Sequence, residues 1–389
     1  MSKVMFFGYA TPLELFEKDQ SFSSNNYRQT FNFSHAFLNF LLQKELDVVN
    51  VAFSPVIIKI NRLIRCFRFS PANVLMIEPI RFIYFFVKSI YKLCLNRPSL
   101  VFVHGLYLPV LVAVIVYSFF SQVDKRIILT DKVNLGDHPS ISGYFRLVNN
   151  SLIRFFVSFF DSSVSLTKPL SDLYLPNKGS FVFPGFFPTH IFDQRIHNFQ
   201  ENIRSKLGRL GFDEFRVYRF FGIKNIHLVY SGGLEKAYGV LDFYSIFKKL
   251  APKNVILSIC GSGPLEKFFT HESSINPNFY FLGQLNGCDL FSLYENTTAF
   301  VNPRPVDLEL TSYSSPSKIF EYACFDKPIM TTKLPGLETH IPDFLVFFDD
   351  DLDFTKFLNN VNHYVNRRNI DNLTSINKLY AGIDFPNLN

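Results

Sequence analysis

One segment, VNPRPVDLELTSYSSPSKIFEYACFDKPIMTTKLPGLE at residues 301–338, carries the residues with the clearest chemistry. Ser315 and Pro316 precede the apolar run IFEYACF, and these residue types favour a helix N-cap and a first helical position. Backbone N–H groups, hydroxyls and the Lys318 ammonium would meet at the positive end of that helix, which suits a diphosphate. Glu321 follows one turn later, where it could accept hydrogen bonds from a ribose. An ordinary capped helix with a solvated lysine is the simpler alternative.

Three glycine turns precede this segment, each directly after an apolar run. They lie in YSGGLEKAYG (230–239), CGSGPLE (260–266) and FLGQL (281–285). Glycine lets the backbone approach a ligand closely, although a single such turn is more often only a turn. Three of them beside the 301–338 segment favour a phosphate-binding site over a capped helix alone.

Polar residues also end two apolar runs of the first half: His104 in VFVHG and Asp131 in IILTD. Because the carboxyl ends of parallel strands meet at one edge of a sheet, both are expected to face a cleft there. They are our candidate catalytic residues, and His138, in the loop GDHPS, is a third candidate. Ordinary hydrogen-bonded strand ends are the alternative interpretation.

The elements that must position these residues repeat in the order strand then helix, which indicates an α/β protein with parallel sheets buried on both faces. The predicted strands of the first half are 4–9, 47–53, 72–78, 100–105, 126–131 and 162–167, with helices at 28–44 and 79–95. Those of the second half are 226–232, 255–263, 279–284, 299–304, 327–332 and 345–348. We predict two doubly wound, Rossmann-like domains facing a cleft, 1–185 and 225–389, joined by a connection at 186–224. The last helix is a candidate to pack back on the first domain.

Composition narrows the classes of protein further. With 389 residues, 19% of them charged, and a mean hydropathy of +0.12, the chain is neither disordered nor collagen-like. Its five cysteines are widely spaced without a C-x-x-C pair, which disfavours a disulfide framework or zinc site and suits a reducing compartment. No secretory signal is evident. No paired DxD carboxylates suggest an obligatory metal.

The stretch from Val101 to Phe120 lacks charged residues and is long enough to span a bilayer. The His104–Gly105 break instead favours a buried strand followed by a separate buried helix. We therefore predict a strand, a turn and a helix here.

The net charge of +6 is unevenly distributed, because residues 1–190 hold 19 Lys and Arg against 11 Asp and Glu. Residues 59–97 alone hold eight basic residues against one acidic residue. A basic, Phe- and Ile-rich surface on amphipathic helices suits anionic lipid, with a buried helix and a solvated face as the alternative. No recognised nucleic-acid-binding module accompanies it. The predicted membrane-surface residues, of which the first three are expected to share one helical face, are Arg62, Arg65, Arg68, Arg81, Lys88 and Lys92.

The 301–338 segment resembles the donor-binding region of retaining GT-B glycosyltransferases of family 4. Its likeness is to the branch found in bacterial capsule and O-antigen biosynthesis, and it covers roughly residues 226–345. Over the first half the likeness is only architectural. The matching residues are Asn302, Pro303, Arg304, Pro305, Tyr313, Ser314, Pro316, Ser317, Lys318, Glu321, Tyr322, Lys327, Pro328, Thr331, Thr332, Leu334, Pro335 and Gly336.

The resemblance implies that the C-terminal domain binds a nucleotide sugar and the first domain binds the acceptor. It places Gly232 and Gly233 beside the diphosphate. Gly261, Gly263 and Pro264 would shape the wall near the base or ribose. The resemblance also implies that phosphate is bound by Ser317 and Lys318, and ribose by Glu321. Ser315 is a further donor-binding candidate because of its place at the predicted helix start.

Two positions depart from the family pattern. Where the broader family has an Arg–Lys pair gripping the diphosphate, this chain has Gly233 and Tyr238, so Lys236, Arg304 or Lys318 must supply the charge. Where the family has its first Glu, this chain has Tyr313. Asp307 and Glu309 are nearby substitutes for that carboxylate.

We therefore expect a retaining glycosyltransferase that moves a hexose-type sugar from a nucleotide-sugar donor to a lipid-linked glycan acceptor in bacterial surface polysaccharide synthesis. His104 would orient the sugar or assist deprotonation, and Asp131 would bind acceptor hydroxyls. We expect no metal or other cofactor, no nucleic-acid partner, and a cytoplasmic location on the inner face of the membrane. A non-catalytic GT-B scaffold and a GT-B nucleotide-sugar epimerase are the alternatives.

Overall fold

The chain divides into two units, unit 1 (Met1–Phe186 with Tyr313–Ser315) and unit 2 (Phe187–Ser312 with Pro316–Asn389). The computed structural model describes residues 3–10, 25–52, 56–61, 64–68, 80–131, 143–183, 199–222, 224–285, 287–306, 309–315, 317–334 and 345–366.

Unit 1 is an α/β domain on a parallel sheet. In chain order its elements are β1 (Lys3–Gly8), α1 (Asn25–Gln43), β2 (Asp47–Ala52), β3 (Val56–Asn61), β4 (Ile64–Arg68), α2 (Ile80–Asn96), β5 (Leu100–His104), α3 (Leu108–Phe120), β6 (Lys125–Thr130), α4 (Gly143–Val157), β7 (Ser162–Ser165), α5 (Lys168–Tyr174) and β8 (Gly179–Val182). The six-stranded sheet has the order β2-β1-β5-β6-β7-β8, and β3 pairs antiparallel with β4. Every residue of β5 is buried, as a central strand covered on both faces requires.

Unit 2 repeats the scheme. In chain order its elements are α6 (Phe199–Arg209), α7 (Glu214–Phe220), β9 (Ile226–Ser231), α8 (Val240–Leu250), β10 (Val255–Cys260), α9 (Glu266–Ile275), β11 (Phe279–Gly283), α10 (Gly287–Glu295), β12 (Ala299–Asn302), α11 (Glu309–Ser312), α12 (Ser317–Ala323), β13 (Ile329–Thr331), β14 (Leu345–Phe347) and α13 (Asp351–Asn366). Its six strands are parallel, in the order β11-β10-β9-β12-β13-β14. The strand order reverses direction beside β9, so the carboxyl end of this strand lies at a topological switch point, where such sheets bind ligands.

The predicted α/β class and two parallel sheets are confirmed, and the Val101–Phe120 stretch is a strand, a turn and a helix. Gly105 makes that turn at φ +86°, where a Cβ would lie 2.6 Å from the Tyr9 hydroxyl oxygen. Among the described residues, no helix has the length and apolar character needed to cross a membrane.

Two expectations differ from the structure. Arg65 and Arg68 lie on β4 rather than on a helix, so the predicted helical arginine face is wrong. A strand has a two-residue period, and a three-residue spacing does not align along one of its faces. The 186–224 segment, expected to be a connection, includes α6 and α7, which pack into the core of unit 2 through Ile203, Leu207, Val217 and Phe220. Arg62 and the predicted strand 72–78 lie outside the described residues.

The last described helix, α13, packs within unit 2 through Phe354, Phe357 and Val361. Residues 367–389 lie outside the described part of the chain. The expectation that the last helix packs back on the first domain therefore stays a prediction.

Candidate active site

Two of the predicted glycine turns lie backbone to backbone at the ends of β9 and β10. The Gly232 N–H donates to the Cys260 carbonyl oxygen at 3.0 Å. Gly261 has φ +143°, and a Cβ there would lie 1.8 Å from the Gly232 carbonyl oxygen. At Gly263, with φ +153°, a Cβ would lie 2.9 Å from the backbone of Leu234. Both glycines are therefore required by this close approach.

A third glycine, Gly239, joins the first turn to the NPRP loop. It has φ +70°, and a Cβ there would meet the Pro303 carbonyl oxygen at 1.9 Å. Beside it the Arg304 guanidinium lies 5.5 Å from the centre of the Tyr238 ring, and a Cβ on Gly233 would lie 2.7 Å from the same ring. The structure thus brings the Arg304 guanidinium to the glycine turn. It lies over Tyr238, the residue that stands where the broader family has a lysine. Burial lowers the pKa of Arg304 from its ordinary value, which still leaves a guanidinium charged at neutral pH.

Lys318 and Glu321 form an ion pair on α12, with Nζ at 2.8 Å from Oε1 and 3.0 Å from Oε2. Tyr294, on α10, donates its phenol hydrogen to Glu321 Oε1 at 2.8 Å. The same phenol oxygen bonds to the Ser231 hydroxyl at the end of β9, and Tyr322 donates to the Ser231 carbonyl oxygen at 3.1 Å. A buried hydroxyl network therefore holds Glu321 at the carboxyl edge of the sheet.

Burial keeps the other titratable groups of this network neutral. It raises the pKa of Tyr294 and of Tyr322 well above the ordinary value. It raises the pKa of the Cys260 thiol to about 12. Cys260 is therefore a protonated packing residue and not a nucleophile, since the thiolate is the reactive form.

α12 is described from Ser317 onwards, and the residue before it, Pro316, lies outside the described residues. The buried hydroxyl of Ser315 has no hydrogen-bond partner among the described residues, so a capping bond from this side chain is not seen there. The N-cap position of Ser315 stays a prediction. With only seven residues, α12 has a weak dipole, and the charges of Lys318 and Arg304 dominate this edge.

Two of the remaining predicted donor residues lie on the surface beside the glycine turns. Lys236 is exposed in a short 3₁₀ turn, Lys236–Tyr238, and Pro264 follows the second glycine turn on the surface. Tyr313 is half-buried against the apolar core of unit 1. Pro316 and Asp307 lie outside the described residues, and of Ser317 and Glu309 only the helical backbone is described.

In unit 1 the structure brings both predicted catalytic residues together. His104 Nε2 lies 3.3 Å from Asp131 Oδ1, and His104 Nδ1 lies 2.6 Å from the hydroxyl of Ser34 on α1. The Tyr9 N–H donates to that hydroxyl at 2.8 Å, which leaves its hydrogen free for Nδ1. This pattern favours the tautomer with the proton on Nε2, which lies close to Asp131 but has no hydrogen bond of ordinary geometry among the described residues. His138 lies outside the described residues.

Sequence reasoning missed Ser34 and Tyr294, because each lies on a helix without a motif and acquires its partner only through the fold. In the sequence, the available signal was that Ser34 lies within an aromatic run between Phe33 and Phe37, and the structure buries all three side chains. Gly239 is the last residue of the YSGGLEKAYG segment, but nothing in the sequence indicated its close approach to the Pro303 carbonyl. Among the described residues, no group of three or more His, Cys, Asp or Glu side chains is arranged to hold a metal ion.

Comparison with solved structures identifies the class of fold. The chain is similar to the catalytic domain of starch synthase IV from Arabidopsis thaliana bound to ADP and acarbose, with a TM-score of 0.59 and 10% identity over 98% of this chain and 99% of that one. It is also similar to sucrose-phosphate synthase from Thermosynechococcus elongatus (TM-score 0.54, 11% identity, 98% and 95%). A UDP-forming trehalose-phosphate synthase from Burkholderia xenovorans gives a TM-score of 0.53 at 10% identity, over 97% and 96%. These likenesses show the two-domain GT-B fold.

The sequence comparison is more specific for one part of the chain. Residues 225–361, which include the glycine turns, Arg304, Lys318 and Glu321, match the family model described as Glycosyl transferases group 1. A search of curated proteins finds no significant match. The family match and the fold together support a GT-B glycosyltransferase.

Proposed function

We propose that the protein is a retaining glycosyltransferase that transfers a hexose-type sugar from a nucleotide-sugar donor to a lipid-linked glycan acceptor. The observation that carries this proposal is the cluster at the carboxyl edge of the unit 2 sheet. There the Gly232–Gly233 turn, the Arg304 guanidinium and the Lys318–Glu321 pair lie within the segment that matches the family model.

The donor would be held through charge and close backbone approach. Arg304 supplies a fixed positive charge beside the glycine turn, and Lys318 supplies a second on α12. A diphosphate would replace Glu321 as the partner of Lys318 and free the carboxylate for ribose hydroxyls. Preorganised positive groups of this kind stabilise the charge that develops on a leaving diphosphate.

The nucleotide is proposed from two neighbours. The starch synthase structure contains ADP, and the trehalose-phosphate synthase is described as UDP-forming. UDP and ADP are accordingly the first nucleotides to test.

The acceptor is assigned to unit 1, where His104 and Asp131 lie at neighbouring strand ends. In retaining transfer without a dedicated nucleophile, the donor phosphate takes the acceptor proton, and the protein supplies positioning. Asp131 would hold an acceptor hydroxyl, and His104 would orient the sugar. A role in bacterial surface polysaccharide synthesis, with the protein on the cytoplasmic side of the membrane, follows from the resemblance and completes the proposal.

Nucleotide binding tests the proposal directly. UDP or ADP should raise the melting temperature, because a ligand at 100 times its Kd stabilises the folded state by about 2.7 kcal/mol. Arg304→Gln and Lys318→Ala should each weaken binding by about tenfold or more. Lys267→Ala, an exposed lysine on α9, is the matched control and should bind normally.

A protein that no nucleotide stabilises, and in which Lys318→Ala changes nothing, would be a scaffold and not a transferase. Activity with the correct donor should persist in EDTA, since no metal requirement is predicted.

A further inference from the structure

Helices α2, α3 and α4 cover one face of the unit 1 sheet. The crossings that contain them, β2 to β5, β5 to β6 and β6 to β7, all run in one direction along the sheet, and right-handed crossovers then place the helices on the same side. All three bury residues in one core, through Phe85 and Leu93, Val110 and Val114, and Ile153 and Val157. The opposite sides of α2 and α4, together with the exposed C-terminal end of α3, form an outer surface of the domain, called here the three-helix face.

The three-helix face exposes large apolar side chains in ordered stripes. On α2, Ile83, Val87, Tyr91 and Leu95 recur every four residues, and each is more than half exposed. On and just after α4 the exposed residues are Val148, Leu152, Phe155 and Phe159. α3 ends in Phe119 and Phe120, which are 73% and 84% exposed. Scattered exposed apolar residues are ordinary, but stripes on the two helices that flank α3 mark an interaction surface.

Charge indicates the partner. The sequences of the three helices contain five cations, Arg81, Lys88, Lys92, Arg146 and Arg154, and no Asp or Glu. Lys88 lies over the ring of Tyr84, with Nζ at 5.4 Å from the ring centre, so this cation borders the apolar stripe. A second copy of the same face would set Lys88, Lys92 and Arg154 against their own copies, with no carboxylate from these helices to pair with them, which is unfavourable.

We propose that the three-helix face is a docking surface for an anionic lipid bilayer. The stripes on α2 and α4 lie in the headgroup region, Phe119 and Phe120 insert into the acyl boundary, and the lysines contact lipid phosphates. Tyr91 has the amphipathic character typical of side chains at that depth. This surface replaces the arginine helix expected from residues 62–68 and keeps Lys88 and Lys92.

The proposal deepens the proposed function and rests on it for its purpose, since a lipid-linked acceptor must be reached at a membrane. Its test does not need the donor. A protein that floats with vesicles but binds no nucleotide would contradict the transferase and leave the docking surface standing. A protein that binds nucleotide but not vesicles would contradict the docking surface and leave the transferase standing.

The experiment is flotation of the full chain with phosphatidylcholine vesicles that contain 30% phosphatidylglycerol, against pure phosphatidylcholine. Wild-type protein should float with the anionic vesicles and lose binding in high salt. Phe119→Ser with Phe120→Ser should reduce the partition coefficient at least tenfold, and Lys88→Gln with Lys92→Gln should remove most of its salt dependence. The matched control is Phe215→Ser with Tyr218→Ser, which alters two exposed aromatic residues of α7 in unit 2 and should not affect flotation.

Equal flotation of wild type and the Phe119/Phe120 variant overturns the proposal. So does equal binding to both vesicle types. If binding is lost only when Arg62, Arg65 and Arg68 become Gln, the lipid is bound by the region of β4 and not by the three-helix face. That result also overturns the proposal. Size-exclusion chromatography completes the design, because a wild-type dimer that dissociates in the Phe119/Phe120 variant would identify a second copy as the occupant. Circular dichroism of each variant must match wild type, so that loss of binding is not loss of fold.

Discussion

The hydrogen bond from Tyr294 to Glu321 gives the sharpest test of the unit 2 site. Tyr294→Phe removes only the phenol oxygen, which lies 2.8 Å from Glu321 Oε1 and also bonds to Ser231. Tyr294 is completely buried, so water cannot replace what the phenol supplied to Ser231. We combine Tyr294→Phe with Glu321→Ala in a double-mutant cycle, which isolates the coupling free energy between the two side chains.

The expected magnitude follows from the surroundings. Hydrogen bonds to charged groups contribute about 1.5–3 kcal/mol. The side chain of Glu321 is 20% exposed and is also paired with Lys318, so water and the ammonium partly compensate for the lost phenol. We therefore expect a coupling free energy near the lower end, about 1.5 kcal/mol. The unpaired Lys318 appears in both variants that lack Glu321, and its cost cancels in the cycle.

Urea unfolding of wild type, both single variants and the double variant provides the four free energies. The chain has no tryptophan, so circular dichroism is the appropriate signal. Tyr218→Phe is the matched control, because Tyr218 is 79% exposed and its substitution should change stability by less than about 0.5 kcal/mol. Tyr294→Phe should also weaken nucleotide binding. Without the Tyr294 hydroxyl the Glu321 side chain is less ordered, and the ligand must then order it on binding.

Additive effects, within about 0.5 kcal/mol, would refute the argument that Tyr294 positions Glu321. A full coupling with unchanged nucleotide affinity would retain the network as a stabilising feature and reject its role at the ribose.

Three further outcomes follow from single positions. Gly261→Ala should lower the free energy of unfolding by at least about 2 kcal/mol, because it adds a Cβ against a backbone carbonyl at positive φ. Gly208→Ala, in open space on α6, is the control and should raise that free energy by about 0.5–1 kcal/mol. Equal urea midpoints for the two variants would contradict this prediction. Burial lowers the pKa of His227 to about 3, so the stability that it contributes is complete above pH 6.5 and falls by about 1.4 kcal/mol per pH unit as the pH drops toward 3. His227→Gln should flatten that slope in urea titrations at successive pH values, and an unchanged slope would exclude this histidine as the cause. Ser34→Ala should lower kcat about tenfold with little change in donor KM, with partial rescue by Ser34→Thr; a normal kcat would make Ser34 purely structural.

Much of the fold was predictable because parallel sheets buried on both faces require short continuous apolar runs, and their glycine and polar ends are visible in the chain. All twelve strands of the two sheets except β8 were predicted, apart from exact boundaries, and so was the break at Gly105. The β3–β4 hairpin was misread, since three-residue spacing of arginines imitates a helix period while strand pairing is decided by the partner strand.

In the candidate site, too, local relations were predictable and long-range contacts were not. Local sequence placed Lys318 and Glu321 one turn apart and His104 and Asp131 at strand ends, because helix and strand geometry fix those relations over a few residues. Local sequence did not predict the contact of Arg304 with the Tyr238 ring. Nor did it predict the hydrogen bonds of Tyr294 to Glu321 and of Ser34 to His104.

The sequence by itself determined which residue types stand at the strand ends and where the glycine turns occur. Only the tertiary structure decided which of them meet, since residues as distant as Ser231 and Tyr322 share a hydrogen bond through the order of strands in the sheet. It also decided which apolar residues of α2 and α4 remain outside the core. Periodicity assigns a helix its faces, but packing against the neighbouring helices determines which face is covered.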